Sequence, residues 1–139
     1  MDMAEGTIPV LADSNVYIDL LRAGLDPAKE LVHRYGELDL VTCGMVKLEV
    51  LRAVNHRKSF RKLSSFFEVQ QFVPTDNDVW DDAIDLAHAL GRIGYTLPAQ
   101  DLIIAVSAFR TGAAVLTADK HFSFIPNLTV IPSPFRSGD

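Results

Sequence analysis

The stretch PAQDLIIAVSAFRTGAAVLTADKHF, residues 98–122, carries the strongest fold signal in the chain. Pro98 marks a helix start, Asp101 falls in the first turn, and the apolar run LIIAVSAF forms a face that Gly112 ends. Residues 114–117 then have the short apolar pattern of a buried strand, and an acid follows after one intervening residue. The stretch therefore predicts a helix, a buried strand and a carboxylate at the carboxyl end of that strand.

The remainder of the chain repeats this alternation of short apolar runs and helical periodicity. Further strands are predicted at residues 8–12, 38–43, 69–73 and 128–131. Further helices are predicted at residues 14–21, 27–35, from 44 onward, 57–67 and from about 76 to 90 or 91. Ser14 and Asn15 offer N-cap chemistry to the first of these helices, and Thr75 with Asp78 resembles a capping box for the last. This alternation predicts an α/β fold, with a parallel sheet of four or five short strands covered by helices on both faces.

Size and composition are those of one compact domain. The chain has 139 residues, of which 48% are hydrophobic and 22% charged, so we expect a single domain over residues 1–139 with a mobile tail from about 132. The amino-terminal segment is acidic rather than basic, and no apolar run is long enough to span a bilayer. Cys43 is the single cysteine and ends an apolar run, which favours a small buried residue. A cytoplasmic protein with no membrane segment is expected.

Charge is unevenly distributed along the chain. The formal net charge is −5, which argues against indiscriminate binding of polyanions. Six of the 13 lysine and arginine residues nevertheless fall in one window: Lys47, Arg52, Arg57, Lys58, Arg61 and Lys62. Residues 76–85 hold five aspartates and no base. One surface is thus suited to phosphate groups while another repels them.

Four acids are placed where a parallel sheet would gather them. Asp13 follows the first strand, Asp119 follows the fourth, Asp101 begins the helix before it, and Glu49 lies on the helix after the second strand. Clustered carboxylates repel one another unless a cation is present, and hard oxygen ligands favour Mg²⁺ or Mn²⁺. Such an ion suits phosphodiester hydrolysis. Each acid also has a purely local interpretation, as a helix cap, a first-turn residue, a turn residue or a solvated helix residue.

Taken in order, the segments LADSNVYIDLL, GMVKLEVLRAV, the stretch 98–122 and LTVI resemble the PIN-domain ribonuclease family, especially the VapC-type toxins. The similarity spans nearly the whole chain, and the stretch 98–122 is its most specific part. It implies a metal-dependent endoribonuclease that hydrolyses RNA phosphodiester bonds, acts as the toxin of a type II toxin-antitoxin pair and forms a homodimer. Its implied partners are an RNA substrate and a cognate antitoxin protein.

The resemblance also implies roles for individual residues. Asp13, Glu49, Asp101 and Asp119 match the metal-binding and catalytic acids, and Asn15 and Thr117 match polar residues that support those acids. Where many relatives have a further acid, two residues after the last metal-binding Asp, this chain has His121, which puts the number of bound ions in question. Candidate RNA-contacting residues are Arg52, Arg57, Lys58, Arg61, Lys62 and His121.

Two other classes of protein remain open at this stage. A receiver-type phosphoacceptor or a haloacid-dehalogenase phosphatase also places an Asp after the first strand. The latter usually has a second Asp two residues later, where this chain has Asn15. A non-catalytic PIN-like module that binds RNA or protein is the other alternative, but such modules often lack some of the four acids. The presence of all four favours an enzyme.

Overall fold

The computed structural model describes residues 8–36 and 39–135 as an α/β fold built on one parallel sheet. The strands are β1 (Val10–Ala12), β2 (Leu40–Cys43), β3 (Gln71–Val73), β4 (Ala114–Thr117) and β5 (Val130–Pro132). The helices are α1 (Ser14–Arg22), α2 (Pro27–Tyr35), α3 (Gly44–Leu51), α4 (Arg57–Glu68), α5 (Asn77–Arg92) and α6 (Ala99–Thr111). A short 3₁₀ helix, Lys120–Phe124, lies between β4 and β5. The predicted fold class is confirmed.

The strand order β3-β2-β1-β4-β5 creates the topological feature that matters for function. The chain builds the sheet outward from β1 through β2 to β3, and then returns to place β4 on the other side of β1. β1 and β4 are paired in parallel, with Ala12 opposite Leu116. The residues that follow these two strands therefore emerge side by side at a switch point, where open parallel sheets form ligand crevices.

Burial of the central strands explains why they lack polar alternation. Every residue of β1, β2 and β4 is buried, so both faces of these strands are covered. Helix α6 packs against β2, β3, β4 and α5, and its residues 101–108 are all buried. Cys43 is fully buried in this core, and burial raises the pKa of its thiol, as expected for a structural cysteine.

Helix ends show where local sequence signals were sufficient and where they were not. Gly112 ends α6 at φ 68°, a left-handed conformation that favours glycine, as predicted. The predicted caps of α1 and α5 are wrong by one or two positions. Asp13, rather than Ser14 or Asn15, caps α1, and Asp76 caps α5 by accepting from the Val79 amide at 3.0 Å. Asp13 precedes Ser14 by one residue and Asp76 follows Thr75 by one residue, and each holds the extended backbone that an N-cap requires.

Strand boundaries differ from the sequence predictions at the edges of the sheet. The third strand begins at Gln71 rather than at residue 69, because the last turn of α4 still holds the Val69 amide against the Phe66 carbonyl. The last strand extends through Pro132, which an edge strand tolerates. Phe135 packs against the core, and the mobile tail expected from about residue 132 stays a prediction. Residues 136–139, and Leu38 at the predicted start of β2, lie outside the described residues.

Within the described ranges, no helix is both long enough and apolar enough to cross a membrane.

Candidate active site

The crevice beyond β1 and β4 is organised by a hydrogen-bond network around two of the predicted polar residues. The Thr117 hydroxyl donates to Asp13 Oδ2 at 2.8 Å and accepts from the Asp119 amide at 2.9 Å. The Asn15 side-chain amide donates to Asp13 Oδ2 and to Thr117 Oγ1, both at 3.2 Å. Asn15 also accepts from the Ala118 amide at 3.2 Å. Asn15 and Thr117 thus tie the end of β1 to the end of β4 and fix both aspartates.

Asp13 has a structural role and a place among the acids at the same time. Its Oδ1 accepts from the Ser14 amide at 2.7 Å, which caps α1, while Oδ2 faces the Thr117 and Asn15 donors. Asp13 is only 4% exposed. Its pKa is raised to about 6, chiefly by burial and to a smaller extent by repulsion from Glu49 and Asp119, while the hydrogen bonds from Thr117 and Ser14 oppose the rise. The local interpretation as a cap is therefore correct but incomplete.

Asp101 is a buried acid in an environment that disfavours its charged form. It lies in the first turn of α6, is 7% exposed, and has a buried Oδ2 without a hydrogen-bond partner in the described part of the chain. Its pKa is raised to about 7, first by burial and then by repulsion from Asp13, Asp119 and Glu49. Burying a carboxylate oxygen without a hydrogen-bond partner costs free energy, and a bound cation at this position would offset that cost.

His121 belongs to the same cluster, which the sequence did not predict. Donor atoms of Asp101, Asp119 and His121 all lie within 4.8 Å of one another. The His121 ring nitrogen Nδ1 is 3.1 Å from Asp119 Oδ1, and the His121 amide donates to the same oxygen at 2.9 Å. Asp119 caps the 3₁₀ helix through this contact, so the turn that follows β4 brings the imidazole back to the site.

Glu49 reaches the crevice from the half-buried face of α3. Its Oε1 accepts from the Ser14 hydroxyl at 3.0 Å, and its charge contributes to the raised pKa values of Asp13 and Asp101. Sequence reasoning missed this function of Ser14, which was considered only as a helix cap. The sequence signal for this role of Ser14 was its position next to Asp13. The contact with Glu49 itself depends on the packing of α1 against α3.

This donor set is chemically suited to a divalent cation. The carboxylates of Asp101 and Asp119 are hard oxygen donors, and Mn²⁺ in particular also accepts an imidazole nitrogen. The orphaned Oδ2 of Asp101 supplies an unsatisfied acceptor that a cation would fill. Asp13 and Glu49 add negative charge beside this group and are close enough to affect its titration. The residues present therefore fit Mg²⁺ or Mn²⁺.

Apart from His121, the predicted RNA-contacting residues lie on α4 or at the end of α3. Arg52, Arg57, Lys58, Arg61 and Lys62 are all exposed. Four of them belong to α4, which packs against α3 through a buried face that includes Leu63, Phe66 and Phe67. Lys62 forms an ion pair with Asp26 at 2.7 Å, so part of its charge is already matched within the protein.

Comparison with known proteins identifies the class of protein that this fold and site define. The family profile described as "PIN domain" matches residues 10–128, and the chain belongs to that family. It is also homologous to the VapC toxins: it is 31% identical over 123 residues to Ribonuclease VapC4 of Mycobacterium tuberculosis, which covers 87% of this chain and 94% of the relative. The family resemblance recognised in the sequence is confirmed.

Solved structures agree on the fold. The DNA-bound VapBC of Salmonella typhimurium gives a TM-score of 0.74 at 15% identity, with 90% of this chain and 98% of that chain covered. VapBC2 of Rickettsia felis, bound to a DNA fragment from its promoter, gives 0.73 at 18% identity with the same two coverages. At these identities the structural likeness establishes the architecture.

Proposed function

We propose that this protein is a metal-dependent endoribonuclease that hydrolyses RNA phosphodiester bonds, and that it is the toxin of a type II toxin-antitoxin pair. The main support for the proposal is the acid cluster at the β1/β4 switch point, in which Asp101 is buried, has a raised pKa and has an Oδ2 without a hydrogen-bond partner among the described residues. Homology to a protein named Ribonuclease VapC4 supports RNA as the substrate. A cytoplasmic location follows as part of the same proposal.

At such a site some side chains would bind the metal ion and others would hold the metal-binding residues in position. Asp101, Asp119 and His121 would hold Mg²⁺ or Mn²⁺, with Asp13 and Glu49 completing the negative environment. The bound ion would lower the pKa of an attacking water and offset the charge that builds on the phosphate. Thr117 and Asn15 fix the orientation of Asp13 and of the Asp119 backbone, and the Ser14 hydroxyl holds Glu49. Preorganisation of this kind is what metal sites require of the surrounding protein.

The phosphoacceptor alternative is disfavoured by the surroundings of Asp13. A carboxylate that attacks phosphorus needs an accessible oxygen, whereas Asp13 is 4% exposed. Its two oxygens accept from the Ser14 amide, the Thr117 hydroxyl and the Asn15 amide. Asp13 is therefore suited to supporting an ion rather than to forming a phosphoryl intermediate.

Partners are proposed on the same basis. A cognate antitoxin is supported by the VapBC complexes that share this fold. A homodimer is supported by Trp80 and Ile84, which lie one turn apart on α5 and are 48% and 60% exposed. Ile84→Arg should convert the dimer to monomer in size-exclusion chromatography with light scattering. A wild-type protein that is monomeric at micromolar concentration would contradict the dimer.

The proposed activity is tested by incubating mixed RNAs with the purified protein in Mg²⁺, in Mn²⁺ and in EDTA. Asp13→Asn and Asp101→Asn should each abolish cleavage, because each removes a charge from the site with little change in volume. The matched control is Asp85→Asn, which makes the same change on the exposed face of α5 and should leave cleavage unchanged. Undiminished cleavage by both site variants, or by the wild type in EDTA, would refute the proposal.

A further inference from the structure

Two exposed aromatic rings form a parallel stack beside the acid cluster. The rings of Tyr95 and Phe124 have centroids 4.4 Å apart and planes that differ by 4°. Each residue remains more than a third exposed, at 37% and 39%. Burial stabilises stacked rings in a core, whereas both residues of this pair stay partly in contact with solvent. It is available to a ligand that has a flat face.

Both rings are held in place by backbone structure. Gly94 adopts φ 91° after α5, and the Tyr95 amide then donates to the Leu90 carbonyl at 2.9 Å, which closes the end of the helix. Phe124 is the last residue of the 3₁₀ helix, whose Phe122 is fully buried. Because both backbones are fixed, little conformational entropy would be lost when a ligand stacks on the pair.

The stack adjoins the proposed catalytic group. Phe124 shares the 3₁₀ helix with His121, whose ring lies 6.3 Å from the Phe124 ring at an angle of 31°. The same imidazole contacts Asp119 at 3.1 Å. Tyr95 lies on the segment between α5 and α6, and α6 carries Asp101 in its first turn. A continuous series of rings therefore leads from the acid cluster to the exposed stack.

We propose that Tyr95 and Phe124 form a stacking subsite for an unpaired nucleobase close to the phosphate that is cleaved. The inference rests on the proposed ribonuclease function and assigns two residues that would hold part of its substrate. Every base has a π-face, so stacking on aromatic side chains binds single strands with little dependence on sequence. A base held in a duplex cannot reach such a surface without being unstacked. The subsite thus selects for strand flexibility rather than for base identity.

The test compares steady-state cleavage of a short single-stranded RNA by the wild type, Tyr95→Leu and Phe124→Leu. Each Leu variant should raise KM about fivefold or more, the lower end of the effect of losing an aromatic platform, with kcat little changed. Tyr95→Phe keeps the ring and should retain the wild-type KM. The matched control is Phe72→Leu on the edge strand β3, where Phe72 is 49% exposed, and it should also leave KM unchanged. Unchanged Mn²⁺ binding would show that the site is intact in each variant.

A second arm identifies the base itself. Abasic residues are placed one at a time along the RNA, and one position near the cleaved bond should raise KM for the wild type by a factor similar to that of the Leu variants. That abasic RNA should cause no further loss in Phe124→Leu, because the ring and the base act as a pair. If the abasic RNA and the Phe124→Leu substitution raise KM independently, so that their factors multiply, the proposal is overturned. It is also overturned if both Leu variants keep the wild-type KM, and the stack would then be assigned to a protein contact.

The outcomes separate the two proposals. If the wild type cleaves RNA and the Leu variants match it, the stacking subsite is wrong while the ribonuclease assignment stands. If the wild type neither binds nor cleaves RNA in any metal ion, the ribonuclease assignment fails and the subsite fails with it. Tyr95→Leu changes an exposed residue between two helices, so it provides the test even if Phe124→Leu destabilises the 3₁₀ helix.

Discussion

Replacing Asp101 with Asn should stabilise the metal-free protein at neutral and alkaline pH. The pKa of Asp101 is raised from 3.8 to about 7 by burial and by the neighbouring carboxylates. Between these two values the folded state holds a proton that the unfolded state has released, so wild-type stability falls as pH rises from about 4 to above 7. Asn has nearly the volume of the protonated acid and carries no charge, so the variant should lack this fall.

The size of the effect follows from the pKa. A shift from 3.8 to about 7, at about 1.4 kcal/mol per unit, sets an upper limit of roughly 4 kcal/mol on the cost of ionising Asp101 in the metal-free fold. Solvent at the mouth of the crevice and relaxation of neighbouring groups reduce this cost, and we expect about 2 kcal/mol at pH 8. For a chain of this length that corresponds to a melting temperature higher by roughly 5–10 °C.

Thermal unfolding in EDTA at pH 4 and at pH 8 measures this difference directly. The two proteins should melt together at pH 4 and separate at pH 8, with Asp101→Asn the more stable. Saturating Mn²⁺ should reverse the order, because only the wild type gains the binding energy, about 2.7 kcal/mol at a hundredfold excess over Kd. Asp85→Asn, on the exposed face of α5, should show neither effect. A variant equal to or less stable than the wild type at pH 8 in EDTA would show that the acid cluster is not strained.

Three further predictions concern the remainder of the site and the basic surface. Thr117→Val removes a buried hydroxyl that contacts Asp13, Asn15 and the Asp119 amide. The free energy of unfolding should therefore fall by about 2 kcal/mol, and the cleavage rate should fall at least tenfold. If neither quantity changes, Thr117 does not position the site. Calorimetry with Mn²⁺ should detect one strong site on the free protein, weakened about tenfold by His121→Ala, whereas two comparable sites would contradict this. Replacing Arg57, Lys58 or Arg61 with Gln should weaken RNA binding and flatten its salt dependence, because these side chains are exposed, and metal affinity should not change. Lys62→Gln should have a smaller effect than each of those three substitutions, because Lys62 is paired with Asp26. An unchanged salt slope would identify α4 as merely a solvated face.

Local sequence signals were reliable wherever one element carries its own start, face and stop. Residues 98–122 illustrate this, since Pro98, the apolar run and Gly112 each impose a local conformational preference that the structure retains. β4 has the bounds that the sequence predicted. Asp13 and Asp119 could be located at strand ends for the same reason, because an apolar strand followed by a polar turn is a local pattern.

What the sequence by itself determined was therefore the series of elements and the identity of the acids, together with the family that their spacing resembles. Tertiary structure alone decided which of these side chains meet. The pairing of β1 with β4 brings Thr117 against Asp13, and the 3₁₀ helix turns His121 back onto Asp119. Packing of α1 on α3 gives Glu49 its hydrogen bond from Ser14, and two separate segments bring Tyr95 onto Phe124. Apart from the contact between His121 and Asp119, each of these contacts joins residues that are far apart in the chain. Their proximity depends on strand order and helix packing, and a local pattern of polar and apolar residues does not encode either.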